Sequence, residues 1–85
     1  MKHRAVETFW TRYETLPLKI RRLADKNYTL LNIDPTHGSL RFKKVKDEIW
    51  SVRVGLHYRA LAYPDTDGYT WFWIGTHTEY DRIIG

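Results

Sequence analysis

The sequence contains no cysteine, which excludes a disulfide framework and a zinc knuckle, and fits a reducing cytoplasm. No apolar run reaches the roughly 18 residues of a membrane-crossing helix, and Met1-Lys2-His3-Arg4 leads into an amphipathic pattern, not a signal-peptide core. Glycine and proline number only five and three, and they build neither a phosphate-cradling loop nor a linker. Instead they mark turns, at Pro35-Thr36-His37-Gly38 and Pro64-Asp65-Thr66-Asp67-Gly68. The four histidines, His3, His37, His57 and His77, are far apart and joined by no carboxylate cluster, so no metal and no cofactor is expected. There are no repeats, and 85 residues suffice for one domain over 1–85 with a single modest core. The expectation is a soluble, cytoplasmic protein.

What is present is basic and aromatic. The formal net charge is +4, with four Trp, six Tyr and three Phe. Residues 41 to 46 read Arg-Phe-Lys-Lys-Val-Lys, and the chain after Ile49 is close to neutral. Such a balance favours a polyanionic partner.

Apolar residues recur at helical spacing from Ala5 to Leu16 (Val6, Phe9, Trp10, Tyr13, Leu16), and again after Pro17 until Asp34-Pro35 stops the pattern. Two helices with almost no linker predict an antiparallel hairpin. Four antiparallel strands follow, Leu40–Val45, Ile49–Val54, Tyr58–Tyr63 and Tyr69–His77, with a short final helix expected within residues 78–84. The fold class expected is α+β, the hairpin packed on a four-stranded sheet.

If the three loops hold odd numbers of residues, Val45 pairs with Ile49, Val54 with Tyr58, and Tyr63 with Tyr69. Alternation then puts Leu40, Phe42, Trp50, Val52, Val54, Tyr58, Ala60, Ala62, Phe72 and Ile74 on a core face. The other face receives Arg41, Lys43, Ser51, Arg53, Arg59, Leu61, Trp71, Trp73, Gly75 and His77, and no carboxylate. Arg53 falls opposite both Arg41 and Arg59. Opposed like charges destabilise a sheet, so the cluster is either splayed into water or built to receive an anion.

These residues match metal-free RNA cleavage, in which the substrate supplies its own 2′-hydroxyl nucleophile. That reaction needs a proton acceptor, cations at the phosphate and an acid for the departing 5′-oxygen. Arg53 and Arg59 would clamp the phosphate, Arg41 and Lys43 track the backbone, and Trp71 and Trp73 offer stacking surfaces. His77 serves as acid or base, or else hydrogen-bonds the tail. His57, in the loop between the arginine strands, is a weaker candidate, and Tyr80 closes the site or packs on the sheet.

The order of elements and three segments, Ser-Leu-Arg-Phe-Lys-Lys-Val, Trp-Ser-Val-Arg-Val-Gly-Leu-His-Tyr-Arg-Ala-Leu and Trp-Phe-Trp-Ile-Gly-Thr-His-Thr-Glu-Tyr-Asp, resemble the RelE/ParE superfamily of toxins from bacterial type II toxin–antitoxin pairs. The resemblance implies a small basic toxin neutralised by a cognate antitoxin protein. RelE-type members cut mRNA on the ribosome as endoribonucleases and so inhibit translation, whereas ParE-type members inhibit DNA gyrase; a catalytically degenerate relative is a third reading. It also implies that the catalytic arginines fall on Arg53 and Arg59, the strand-end basic or His residue on His77, and the following aromatic on Tyr80. The chain departs from many relatives in beginning too close to the first helix for an N-terminal strand.

Overall fold

The computed structural model describes residues 2–85. Its elements are β1 (Lys2–Ala5), α1 (Glu7–Glu14), α2 (Leu18–Ile33), β2 (Lys43–Lys46), β3 (Ile49–Val54), β4 (Tyr58–Pro64), β5 (Gly68–Thr76) and α3 (His77–Ile84). The α+β class, the two leading helices and the short final helix are as expected. The sheet has five strands rather than four, in the order β1-β5-β4-β3-β2.

The additional strand is β1, which runs parallel to β5 with Lys2 opposite Gly68 and Ala5 opposite Trp71. Lys2-His3-Arg4-Ala5 has no β-branched residue to announce a strand. It is held instead by distant partners: Arg4 pairs with Asp65 at 2.9 Å and Asp67 at 3.0 Å, and His3 turns inward to Trp71. Indole Nε1–H can only donate, so His3 Nδ1 accepts at 3.0 Å and the ring is neutral, consistent with burial pulling its pKa below the ordinary value.

The hairpin β3–β4 has the expected register, Val54 opposite Tyr58 and Arg53 opposite Arg59. Gly55 turns it at φ +67°, and a Cβ there would lie 2.8 Å from Leu23 of α2. The other two pairings carry bulges. Lys46, not Val45, faces Ile49, and the strand starts at Lys43, not Leu40, because Arg41 takes a left-handed φ of 45°. Tyr63 faces Thr70 rather than Tyr69, and between β4 and β5 the register jumps from Leu61↔Trp73 to Ala62↔Trp71. An extra residue in one strand reverses the faces beyond it. Trp71 therefore enters the core, and Phe72 leaves it to stack on Tyr63 with ring centroids 5.4 Å apart.

The core joins Leu16, Leu31 and Leu40 to Val52, Val54, Ala60, Ala62, Trp71 and Ile74. Phe9 and Tyr13 face it from α1, whereas Trp10, expected on the same stripe, is exposed. The helices do not close tightly on one another. Tyr13 Oη donates to Asp25 at 2.7 Å across them, and a cavity of about 430 Å3 opens between helices and sheet.

Helix α1 also completes an edge. Beyond Ala5, β5 has no strand beside it, and its outward carbonyls are met by α1 side chains: Thr8 Oγ1 donates to Phe72 O at 2.8 Å and Arg12 Nε to Ile74 O at 2.7 Å. Four residues of helix advance about 6 Å and two of strand about 6.6 Å, so residues four apart on α1 reach carbonyls two apart on β5. No helix of the described residues is long and apolar enough to cross a membrane.

Candidate functional site

On the sheet face away from the core, the pairings set two rows of side chains. Lys43, Ser51, Leu61 and Trp73 form one row, and Arg53, Arg59 and Gly75 the next. Ser51, Leu61 and Gly75 are buried and make a floor, with Lys43 exposed at one end and Trp73 half-buried at the other. Beside the second row rises α3.

Thr76 starts that helix with a capping box. Its hydroxyl accepts from Glu79 N at 3.2 Å, and Glu79 Oε1 accepts from Thr76 N at 3.1 Å. Two of the backbone donors at the helix start are thereby satisfied. His77 is consequently the first residue of α3, not the last of a strand, and its backbone N–H donates to His57 O at 2.7 Å. Three and four residues along the same helix face come Tyr80 and Asp81.

The candidate residues meet in sequence around that turn. Arg53 and Arg59 are cross-strand partners. Arg59 lies 6.0 Å from the centre of the Tyr80 ring, and the Tyr80 ring lies 5.8 Å from that of His77. His77 Nδ1 in turn sits 3.0 Å from Asp81 Oδ2. Arg53, Arg59, Tyr80 and His77 are thus brought together on one side of the sheet. Burial, and then the facing Arg53, lower the Arg59 pKa from its ordinary value; Tyr80 and Asp81 oppose that shift. Arg59 Nη1 donates to Tyr58 O at 2.8 Å, folding the side chain back toward the β3–β4 turn. Arg53 Nε is buried with no hydrogen-bond partner among the described residues. Among the described residues neither Arg53 nor Arg59 has a carboxylate partner, and the Tyr80 ring links Arg59 to His77, whose Nδ1 is engaged by Asp81 and whose other ring nitrogen is Nε2.

Other expected residues fall elsewhere. Trp71 is buried in the core by the β4–β5 bulge and offers no stacking surface. Trp73 is on the expected face, with Arg12 Cζ 5.0 Å from its ring centre. Arg41 is exposed, close enough to contribute to the lowered Arg59 pKa, but its left-handed backbone removes it from the strand ladder opposite Arg53. His57 is an exposed loop residue tied to the site through its carbonyl.

The face was expected to lack carboxylates, and α3 corrects this by supplying Glu79 and Asp81. The signal was in the chain: Thr76-x-x-Glu79 is a helix-start signature that ends β5 one residue before His77. Arg12, which joins Ile74 O to Glu79 Oε2 at 2.9 Å, carried no such signal.

The capping box gives a pH dependence. The Thr76 backbone N–H, Arg12 and the Thr76 hydroxyl hold the Glu79 carboxyl below the ordinary carboxylate range. With the folded pKa lowered, the contact stabilises fully above the unfolded value near 4.5, and this is lost as pH falls through the folded value. Protection of the amides in residues 77–84, relative to their intrinsic exchange at each pH, is expected to fall selectively on acidification through the folded value, and Glu79→Gln should flatten the response. Thr76→Ala should cost about 1 kcal/mol at neutral pH by removing the cap, read from the denaturant midpoint.

Comparison with known proteins adds a sequence match and several structural ones. A family model described as the ParE-like toxin domain matches residues 18–82. No curated sequence matches the chain. Among solved structures, the toxin–antitoxin RelB–RelE complex from Methanococcus jannaschii contains a chain superimposing with a TM-score of 0.74 at 16% identity, covering 96% of this chain and 99% of that one. The YoeB/ParE toxin from Agrobacterium tumefaciens gives 0.70 at 16% identity, over 91% and 99%. A copper-bound mutant toxin from Helicobacter pylori gives 0.65 at 13% identity, over 93% and 97%. At such identities these structures speak for a shared fold.

Proposed function

Since the chain belongs to the ParE-like toxin domain family, we propose that it is the toxin of a toxin–antitoxin pair and that it cuts mRNA on the ribosome. The observation that carries this reading is the contiguous run Arg53, Arg59, Tyr80, His77 at the end of the sheet. In the reaction, a ribose 2′-oxygen attacks the adjacent phosphorus and loses its proton, the bond from phosphorus to the 5′-oxygen breaks, and that oxygen takes up a proton. The products are a 2′,3′-cyclic phosphate and a 5′-hydroxyl. Arg53 and Arg59 stabilise the charge gathering on the phosphate oxygens, which act most strongly when already held in place. His77, held at Nδ1 by Asp81, gives the departing 5′-oxygen its proton from Nε2, and the proton of the 2′-hydroxyl passes to water. Lys43 and Trp73 extend the surface across the sheet, with Arg41 just before β2, and His57 borders it.

A cell-free translation reaction with primer extension tests this. Purified toxin should produce cleaved message, and His77→Ala should reduce the product by about 100-fold or more. Intact message in the presence of folded wild-type protein overturns the nuclease reading. A gyrase inhibitor, the alternative that the resemblance leaves open, needs neither guanidinium nor imidazole chemistry. It predicts lost supercoiling that survives in the Arg59→Ala, His77→Ala double variant, while a degenerate relative predicts neither effect.

The antitoxin belongs to the same reading: one of the structural neighbours is a RelB–RelE antitoxin–toxin complex. An acidic partner segment would relieve the repulsion between Arg53 and Arg59, so the complex should unfold at higher temperature than the free toxin.

A further inference from the structure

Arg12 lies on α1, outside the run of residues given a chemical role, yet it has contacts to three separate parts of the site. Its Nε donates to Ile74 O at 2.7 Å, its Nη2 to Glu79 Oε2 at 2.9 Å, and its Cζ sits 5.0 Å from the centre of the Trp73 ring. We infer that Arg12 is the positioning residue of the site: it holds the first turn of α3 against the end of β5, and so sets where His77 and Tyr80 stand relative to Arg59.

The connections are direct. Glu79, the acceptor of Arg12, also caps Thr76 N, so the same carboxylate ties α1 to the turn from which His77 projects. A planar guanidinium donates in two directions at once, one toward the strand and one toward the helix; an ammonium on a flexible stem offers no fixed fork. Gly75 makes the approach possible, since a Cβ there would stand 2.5 Å from Trp73 Cζ2 and 2.8 Å from Arg12 Nη2. Arg12 is therefore packed over a residue with no side chain, with the indole as its other wall. It touches neither Arg53 nor Arg59, the groups assigned to the phosphate, and it reaches His77 and Tyr80 through α3.

The activity arm of the test rests on the nuclease reading, and the structural arm does not. Full-length Arg12→Ala and Arg12→Lys proteins are compared with wild type by amide hydrogen exchange and by cleavage kinetics on programmed ribosomes. Exchange in residues 77–84 should accelerate by about tenfold or more in both variants, while β3 and β4 keep wild-type protection. Cleavage kcat should fall by about 10- to 100-fold from misplacement of His77 and Tyr80, with KM for the ribosome–message complex within about twofold, since Arg53, Arg59 and Lys43 remain. Lysine should not rescue. Unchanged exchange in α3, equal loss of protection in α3 and the sheet, or lysine at wild-type kcat each overturns the assignment. If wild type leaves message intact, the nuclease reading fails, and the exchange arm still decides whether Arg12 holds α3.

Discussion

Replacing Arg59 by alanine is expected to lower message cleavage by about 100- to 1,000-fold while leaving the thermal unfolding midpoint near that of wild type. The two effects separate because Arg59 serves opposite ends in the free protein. Its Nη1 reaches the turn carbonyls of Gly55 at 3.4 Å and Leu56 at 3.5 Å and so steadies the β3–β4 turn, while its position opposite Arg53 destabilises the sheet. Removal cancels one against the other. With phosphate bound there is no such cancellation, because the anion satisfies both guanidinium groups and the low-dielectric floor strengthens the attraction. A second reading of the same variant is ionic: the slope of log affinity for single-stranded RNA against log salt should shrink by about 0.7, one phosphate contact fewer. Cleavage within a few-fold of wild type would remove Arg59 from the chemistry and reduce it to a clamp on the turn.

The second large effect is on stability and comes from Leu61→Ala. Alternation places Leu61 on the cationic face, where a truncation is normally worth under about 0.5 kcal/mol. In the folded protein it is 0% exposed, flanked by Ser51 and Trp73 in the row across the sheet. Truncating a buried leucine costs about 2–5 kcal/mol, from lost transfer energy and the cavity left behind. Domains of this size have only about 5–15 kcal/mol in total, so the midpoint should drop by roughly 10 °C or more. A shift of a degree or two in thermal or urea unfolding would mean that this face is as open as the sequence pattern suggests. The floor beneath Trp73 would sink in the variant, so cleavage should fall along with stability.

The candidate site was partly legible for a reason visible in its parts. Arg53 and Arg59 flank a three-residue turn, and neighbouring strands joined by a short turn pair locally, so their opposition follows from counting. Tyr80 and His77 were legible as types, but their common helix face required the Thr76 cap to be read as a helix start. Trp71 was misplaced because one extra residue in the β4–β5 pairing exchanges inward and outward positions, and no local preference distinguishes Trp71 from Phe72 as the inward ring.

By itself, then, the sequence determined the two leading helices, the β3–β4 hairpin with its paired arginines, and the excess of cation and aromatic over acid on the whole chain. Each of these depends on residues within a turn or two of one another, or on composition alone. The fold decided the rest: the place of β1 beside β5, the burial of Trp71 and Leu61, and the reach of Arg12 to Ile74 and Glu79. The place of β1 and the reach of Arg12 depend on partners more than sixty residues away, which become neighbours only once the sheet has formed, and the burial of Trp71 and Leu61 depends on which strands and which bulge lie beside them.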